Sequence, residues 1–169
     1  DLGLENWVIR AYVDANGDGI LQAGETTIAD SDTTDGNGDY LLSLDPGKYV
    51  VCEVSQAGWT QSKPANTVCA LGTGLEPGGY AVTITSRSTE ENNDFGNWAQ
   101  GTKSGMKFED ENANGTKDTG DLGLENWVIR AYVDANGDGV LQAGETTIAE
   151  YDTTAADGSY LLALDPGKY

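Results

Sequence analysis

The 169-residue chain sets 28 acidic residues against 9 basic ones and has no histidine, giving a net charge of −19 and an isoelectric point near 4.1. Such a chain is repelled by nucleic acid and by anionic membranes and attracts cations, so its expected partners are metal ions and proteins, with no nucleic-acid binding and no membrane insertion. Without histidine there is no His-based nucleophile or acid–base pair, and the paired carboxylates fall mainly in loops that metal binding already explains, so no enzyme is expected.

Four tryptophans, eight tyrosines and many aliphatic residues supply apolar surface to bury, which argues for a folded chain despite its acidity. No stretch approaches the roughly 18 apolar residues of a membrane span, and no basic and apolar leader precedes Asp1, so the sequence reads as a mature or excised piece.

In chain order, Trp7, Ile9, Ala11 and Val13 alternate with Val8, Arg10 and Tyr12, the period of a β-strand. The segment that follows, "DANGDGILQAGE" at residues 14–25, matches the calcium-loop pattern D-x-[DN]-x-[DN]-G-x5-E. Strand-like "TTIADSD" comes after it, then the runs "DYLLSL", "KYVVCEV", "YAVTITS", "NDFGNW" and "SGMKFED", separated by turn clusters such as "DGNGD", "DPGK" and "EPGG". Alternation through "KYVVCEV" places Tyr49, Val51 and Glu53 on one face and turns Cys52 outward. Seven or so short strands without an amphipathic helix predict an all-β sandwich, with the calcium loops joining strands.

Cys52 and Cys69 match no metal or redox spacing, and a disulfide between them is the expected state. Such a bridge persists in an oxidising compartment and so points outside the cell.

The calcium pattern recurs as "DANGDGVLQAGE" at residues 134–145 and, more loosely, as "DENANGTKDTGD" at residues 110–121. Oxygen ligands are expected from Asp14, Asn16, Asp18 and Glu25 in the first loop, from Asp110, Asn112, Asn114 and Asp121 in the second, and from Asp134, Asn136, Asp138 and Glu145 in the third. The backbone carbonyls of Ile20, Thr116 and Val140 fill position 7. Asp118 adds a direct or water-linked contact, and Gln22 and Gln142 are expected to bridge through water. Oxygen ligands alone suit calcium and not zinc. Between strands, a bound ion would stiffen a β connection, whereas between two helices it would open a sensor.

The segment "DLGLENWVIRAYVDANGDG" begins at Asp1 and again at Asp121, a period of 120 residues. Of the 49 positions compared, eight differ: Ile20/Val140, Asp30/Glu150, Ser31/Tyr151, Asp35/Ala155, Gly36/Ala156, Asn37/Asp157, Asp39/Ser159 and Ser43/Ala163. Tandem duplication follows.

Taken with "VVCEVSQAGWTQ" and the terminal "DFGN", the paired loops at 110 and 134, the segment Gly123 to Trp127 and "DGSYLLALDPGKY" resemble the B-type repeat of the serine-aspartate repeat surface proteins over essentially the whole chain. The resemblance implies a calcium-stabilised, immunoglobulin-like β-sandwich repeated in tandem between a cell surface and an exposed tip. In that phase, residues 1–100 form a repeat lacking its first strand and first calcium loop, and residues 101–169 form the N-terminal part of the next. The missing strands would come from the same chain or from neighbouring chains, the latter building a fibre.

The chain is similar also to the collagen-adhesin B-type fold, in which a buried glutamate promotes a Lys–Asn isopeptide bond. That likeness implies Lys107, Glu53 and Asn97, or Asn93 in place of Asn97, as the reacting set. A solvated Lys107, or one salt-bridged to Glu53, is the plainer alternative, because Met106 and Phe108 lie opposite it in the pleat. The expected function is that of an extracellular stalk, spacer or fibre subunit in a cell-surface adhesin or filament, rigidified by calcium. The alternative is an accessory carbohydrate- or protein-binding module of a secreted enzyme, with Trp59 and Trp98 as the better exposed aromatic candidates and Trp7 and Trp127 as packing residues.

Overall fold

The computed structural model describes residues 2–169, and the chain divides into two compact units, Asp1–Trp98 and Ala99–Tyr169. The described residues form ten strands and no helix. In the first unit, β1 (Val8–Val13), β2 (Ile28–Thr33), β3 (Gly47–Val54) and β5 (Leu75–Ile84) make an antiparallel sheet in the order β2-β1-β3-β5. Beside it, β4 (Trp59–Lys63) pairs with β6 (Gly96–Ala99). In the second unit, β8 (Val128–Tyr132) pairs with β9 (Ile148–Thr153), and β7 (Gly101–Met106) with β10 (Ser159–Leu164). The several sheets are consistent with a β-sandwich.

Alternation works on one face of the four-stranded sheet. Ile9, Ala11, Tyr49 and Val51 are buried together, with Val82 and Phe95 packed against them. The opposite face departs from the sequence expectation. Cys52, predicted to point outward, is 0% exposed and clusters with Tyr12, Leu21, Val50 and Cys69. The cause is a cover: the chain after β4 folds back across this face, and the Cys52–Cys69 disulfide fastens it with a Cα–Cα distance of 6.0 Å. Two backbone bonds complete the fastening, from Leu21 N–H to the Val68 carbonyl and from Cys69 N–H to the Pro77 carbonyl, each at 2.8 Å. Gly79 is required here, because a Cβ at that position would overlap Cys69 Sγ. Each aliphatic side chain buried this fully contributes about 2 kcal/mol relative to exposure.

One predicted strand and one unpredicted strand need correction. Residues 39–44, in "DYLLSL", alternate in burial but join no ladder, although their counterpart "SYLLAL" is β10. A strand needs a hydrogen-bonding neighbour, and β10 has one in β7. The other miss is β4, whose polar run "WTQSK" carries no alternating apolar signal.

Reducing the disulfide frees a closed loop spanning 17 positions and should cost the first unit about 3 kcal/mol in the chain-entropy picture. Amide exchange checks this: Val50 and Cys52 should exchange faster after reduction, while Ile129 and Ala131, in a unit without cysteine, keep their rates. Unchanged exchange at Val50 would contradict the fastening role.

Candidate functional site

The three calcium-pattern loops share one hydrogen-bond skeleton. In the first, Asp14 Oδ1 and Oδ2 accept from the N–H groups of Gly17 at 2.7 Å and Gly19 at 2.9 Å. Asn16 Oδ1 accepts from Asp18 N–H at 2.9 Å, and Asp18 Oδ1 from Ile20 N–H at 3.0 Å. Glu25 closes the loop, one oxygen accepting from Ala15 N–H at 2.8 Å and the other from Gln22 N–H at 3.0 Å. The third loop repeats every one of these bonds: Asp134 with Gly137 and Gly139, Asn136 with Asp138, Asp138 with Val140, and Glu145 with Ala135 and Gln142. These are side-chain turns, in which Asp and Asn fold back on nearby backbone donors.

The looser second loop keeps the skeleton. Asp110 accepts from Asn114 and Gly115, Asn114 from Thr116, and Asp121 from Glu111 and Asp118, which establishes Asp121 at the closing position. Asn112 Oδ1 also accepts from Asn114 N–H at 3.1 Å. An acid and an amide have changed places. Loops one and three carry Asp at position 5 and Gln at position 9, and the second carries Asn114 and Asp118, so each keeps a carboxylate at positions 1 and 12 and at one of positions 5 and 9. The amides follow the acids: Gln142 Nε2 donates to Asp138 at 2.6 Å, while Asn112 and Asn114 donate to Asp118 at 2.8 and 2.7 Å. Gln22 likewise donates to Asp18.

Glycine at position 6 has φ of 77°, 78° and 77° at Gly19, Gly115 and Gly139, a left-handed backbone that a side chain would strain. Hydrogen bonding holds Asp134 and Asp118 below the usual carboxylate range, chiefly through Gly139 N–H for the first and the Asn112 amide for the second. Among the described residues no three Asp, Glu or Cys side chains stand grouped at metal-holding distance. The loop donors are a mixed set of carboxylate and amide oxygens oriented by backbone donors. Each oriented oxygen retains a second lone pair, and an all-oxygen set of this kind fits calcium.

A second cluster lies on β3. Glu53 is 0% exposed and accepts from Asn97 Nδ2 at 2.7 Å and from Gln61 Nε2 at 3.2 Å, while Gln61 Oε1 takes Gly78 N–H at 2.7 Å. Burial pushes the Glu53 carboxyl up to about 7. The Asn97 and Gln61 amides pull it partly back, and the Glu76 charge adds to the rise. Glu53 and Asn97 are therefore brought together as the isopeptide set requires. Lys107 belongs to the second unit, where its ammonium lies 4.9 Å from the centre of the Trp127 ring. Asn93 offers its carbonyl to the Tyr40 hydroxyl at 2.6 Å. Gln61 escaped the sequence reading, having no signal beyond a polar residue in a polar run.

The aromatic candidates also change places. Trp59 is half-buried, and its ring packs edge-on to the buried Trp7 at 5.7 Å, while Trp127 is 51% exposed. No protein-family model, curated protein or solved structure matches the chain.

The Glu53 environment predicts a pH dependence. Its carboxyl titrates near 7 when folded against an ordinary 4.5, so the folded state holds a proton that the unfolded chain has already lost between those values. The stability contributed is full below about pH 4.5 and declines as pH rises toward 7. Chemical denaturation of the first unit across that window should show the decline, and Glu53→Gln should flatten it. An equal slope in the variant would contradict a buried, proton-retaining Glu53.

Proposed function

We propose that the chain is a non-enzymatic, extracellular spacer: a stalk or fibre subunit of a cell-surface adhesin or filament, built from 120-residue immunoglobulin-like sandwich repeats and stiffened by calcium. The observation that carries this reading is the shared skeleton of the three loops, each with its ligand-type oxygens oriented before any ion arrives. The loops are also tied to strands. Asp14 N–H donates to the Lys48 carbonyl of β3 at 3.0 Å, and Asp134 N–H to that of Lys168 at 3.0 Å. An ion bound in such a loop would hold two strand ends in fixed geometry. The disulfide supports an oxidising, extracellular setting. The resemblance to the serine-aspartate B-type repeat agrees with both.

A carbohydrate-binding accessory module has less support. Its best aromatic, Trp59, is half-buried and engaged edge-on with Trp7.

Calcium binding only the folded state stabilises it by mass action, by about 2.7 kcal/mol at a hundredfold excess over Kd. Chelation should therefore lower the melting temperature, and Asp134→Ala or Glu145→Ala should each reproduce part of the loss in the second unit. A melting curve unmoved by exhaustive chelation would sink the structural-calcium reading.

A further inference from the structure

Positions 120 apart carry nearly the same sequence, yet one stretch folds differently in the two units. Ser159–Leu164 pairs with β7 in a register running from Ser159↔Met106 to Leu164↔Gly101, while residues 39–44 join no ladder. Beyond β7 the pairing continues: Lys107 N–H donates to the Gly158 carbonyl at 2.8 Å, and Leu124 N–H to the Lys107 carbonyl at 2.9 Å. The counterparts in the first unit, the Gly38 carbonyl and Leu4 N–H, have no backbone partner among the described residues. Burial agrees. Leu162 is 3% exposed beside β7, and its counterpart Leu42 is only half-buried.

Where β7 would run, the first unit has a groove of about 1260 Å³. Residues 38–44 form one wall, residues 94–97 the other, and Ile9, Val51 and Glu53 lie in the floor. One edge of the first wall is in use, since the N–H groups of Leu41 and Ser43 donate to the carboxylates of Asp32 and Asp30, each at 2.7 Å. Alternation then turns the backbone groups of Tyr40, Leu42 and Leu44 toward the groove, where a strand could pair with them.

We infer that this groove accepts, by strand addition, a segment with the sequence of residues 101–109, "GTKSGMKFE", carried by another copy of the repeat. The β7–β10 register, moved back by one repeat, sets Gly105 against Tyr40, Lys103 against Leu42 and Gly101 against Leu44. Directly opposed residues share a face, so Lys103, Gly105 and Lys107 turn toward the floor. Each suits its place. Gly105 leaves room for a tyrosine ring, as it does for Tyr160, whose Cζ would stand 2.7 Å from a Cβ there. Lys107 brings a cation to a groove whose floor holds buried Glu53 and whose rim carries Glu90, Glu91 and Asp94, against the single cation Lys63, itself bound to Asp94 at 2.9 Å. The inference rests on the repeat reading above but not on its calcium, so a failed chelation experiment and a failed docking experiment are separate results.

The test is amide hydrogen exchange on the full chain with the synthetic peptide GTKSGMKFE. Tyr40, Leu42 and Leu44 should exchange about tenfold slower or more in the saturated complex. Tyr160, Leu162 and Leu164, already paired, should not change. A peptide carrying Lys103→Pro, which lacks the donor in the middle of the ladder, should protect none of them. Protection in concentrated chain without peptide, with a doubled mass in solution, would assign the strand to β7 of a second copy and support the same groove. The inference is overturned if the native peptide slows none of the three amides, if a scrambled peptide slows them equally, or if only Tyr160, Leu162 and Leu164 respond.

Discussion

The central constraint on the first unit is that β3 is covered on both faces. From Tyr49 to Glu53 every residue is buried, which no strand of a two-layer sandwich with one solvated face would show. One cover is the main apolar layer around Ile9 and Val51. The other is the chain after β4, too short to form a layer of its own and held in place by the disulfide. Glu53, buried in the floor of the groove, has two neutral amides as partners, and burial keeps a proton on its carboxyl toward neutral pH.

The same cover reaches the first calcium-pattern loop. Leu21, eighth residue of the loop, is 2% exposed in the disulfide cluster, and its N–H is held by Val68. On the loop's other side, the Lys48 ammonium lies 3.3 Å from the Gly17 carbonyl. The loop is thus fixed at both shoulders to the sheet, and an ion that shortened or stiffened it would act on β1 and β3 directly. In the third loop the lysine contact recurs as Lys168 to Gly137 at 3.2 Å, while Leu141 is 61% exposed. The shared skeleton therefore does not depend on the disulfide cover. It is written into the Asp, Asn and Gly positions of the loop itself.

That is why the loops were the most legible part of the sequence. Their geometry is local, set by side chains bonding to donors two to ten residues away, and even the acid and amide exchange between Asn114 and Asp118 leaves it intact. Strands β1 and β3 were legible from alternation on the face where one apolar layer meets them. What alternation could not show was a second cover. Cys52 read as outward because the segment that buries it, "PANTVCALG", has no period, and Cys69 is its only distinctive residue. Residues 39–44 illustrate the converse: the pattern is that of a strand, but pairing is a non-local property, and the same pattern becomes a strand beside β7 and remains unpaired without it. The meeting of Glu53 with Asn97 was suggested by family resemblance, while Gln61 became visible only once β4 was placed against β5, where Gln61 meets both Gly78 and Glu53.

The claim on which the account most depends is that each loop is a calcium site. Calorimetric titration of chelator-stripped chain with calcium measures this directly. The account requires three ions per chain, one for each of residues 14–25, 110–121 and 134–145, with one fewer after Asp14→Ala and after Asp110→Ala. Titration that shows no saturable calcium uptake, or a stoichiometry that neither substitution alters, would contradict it.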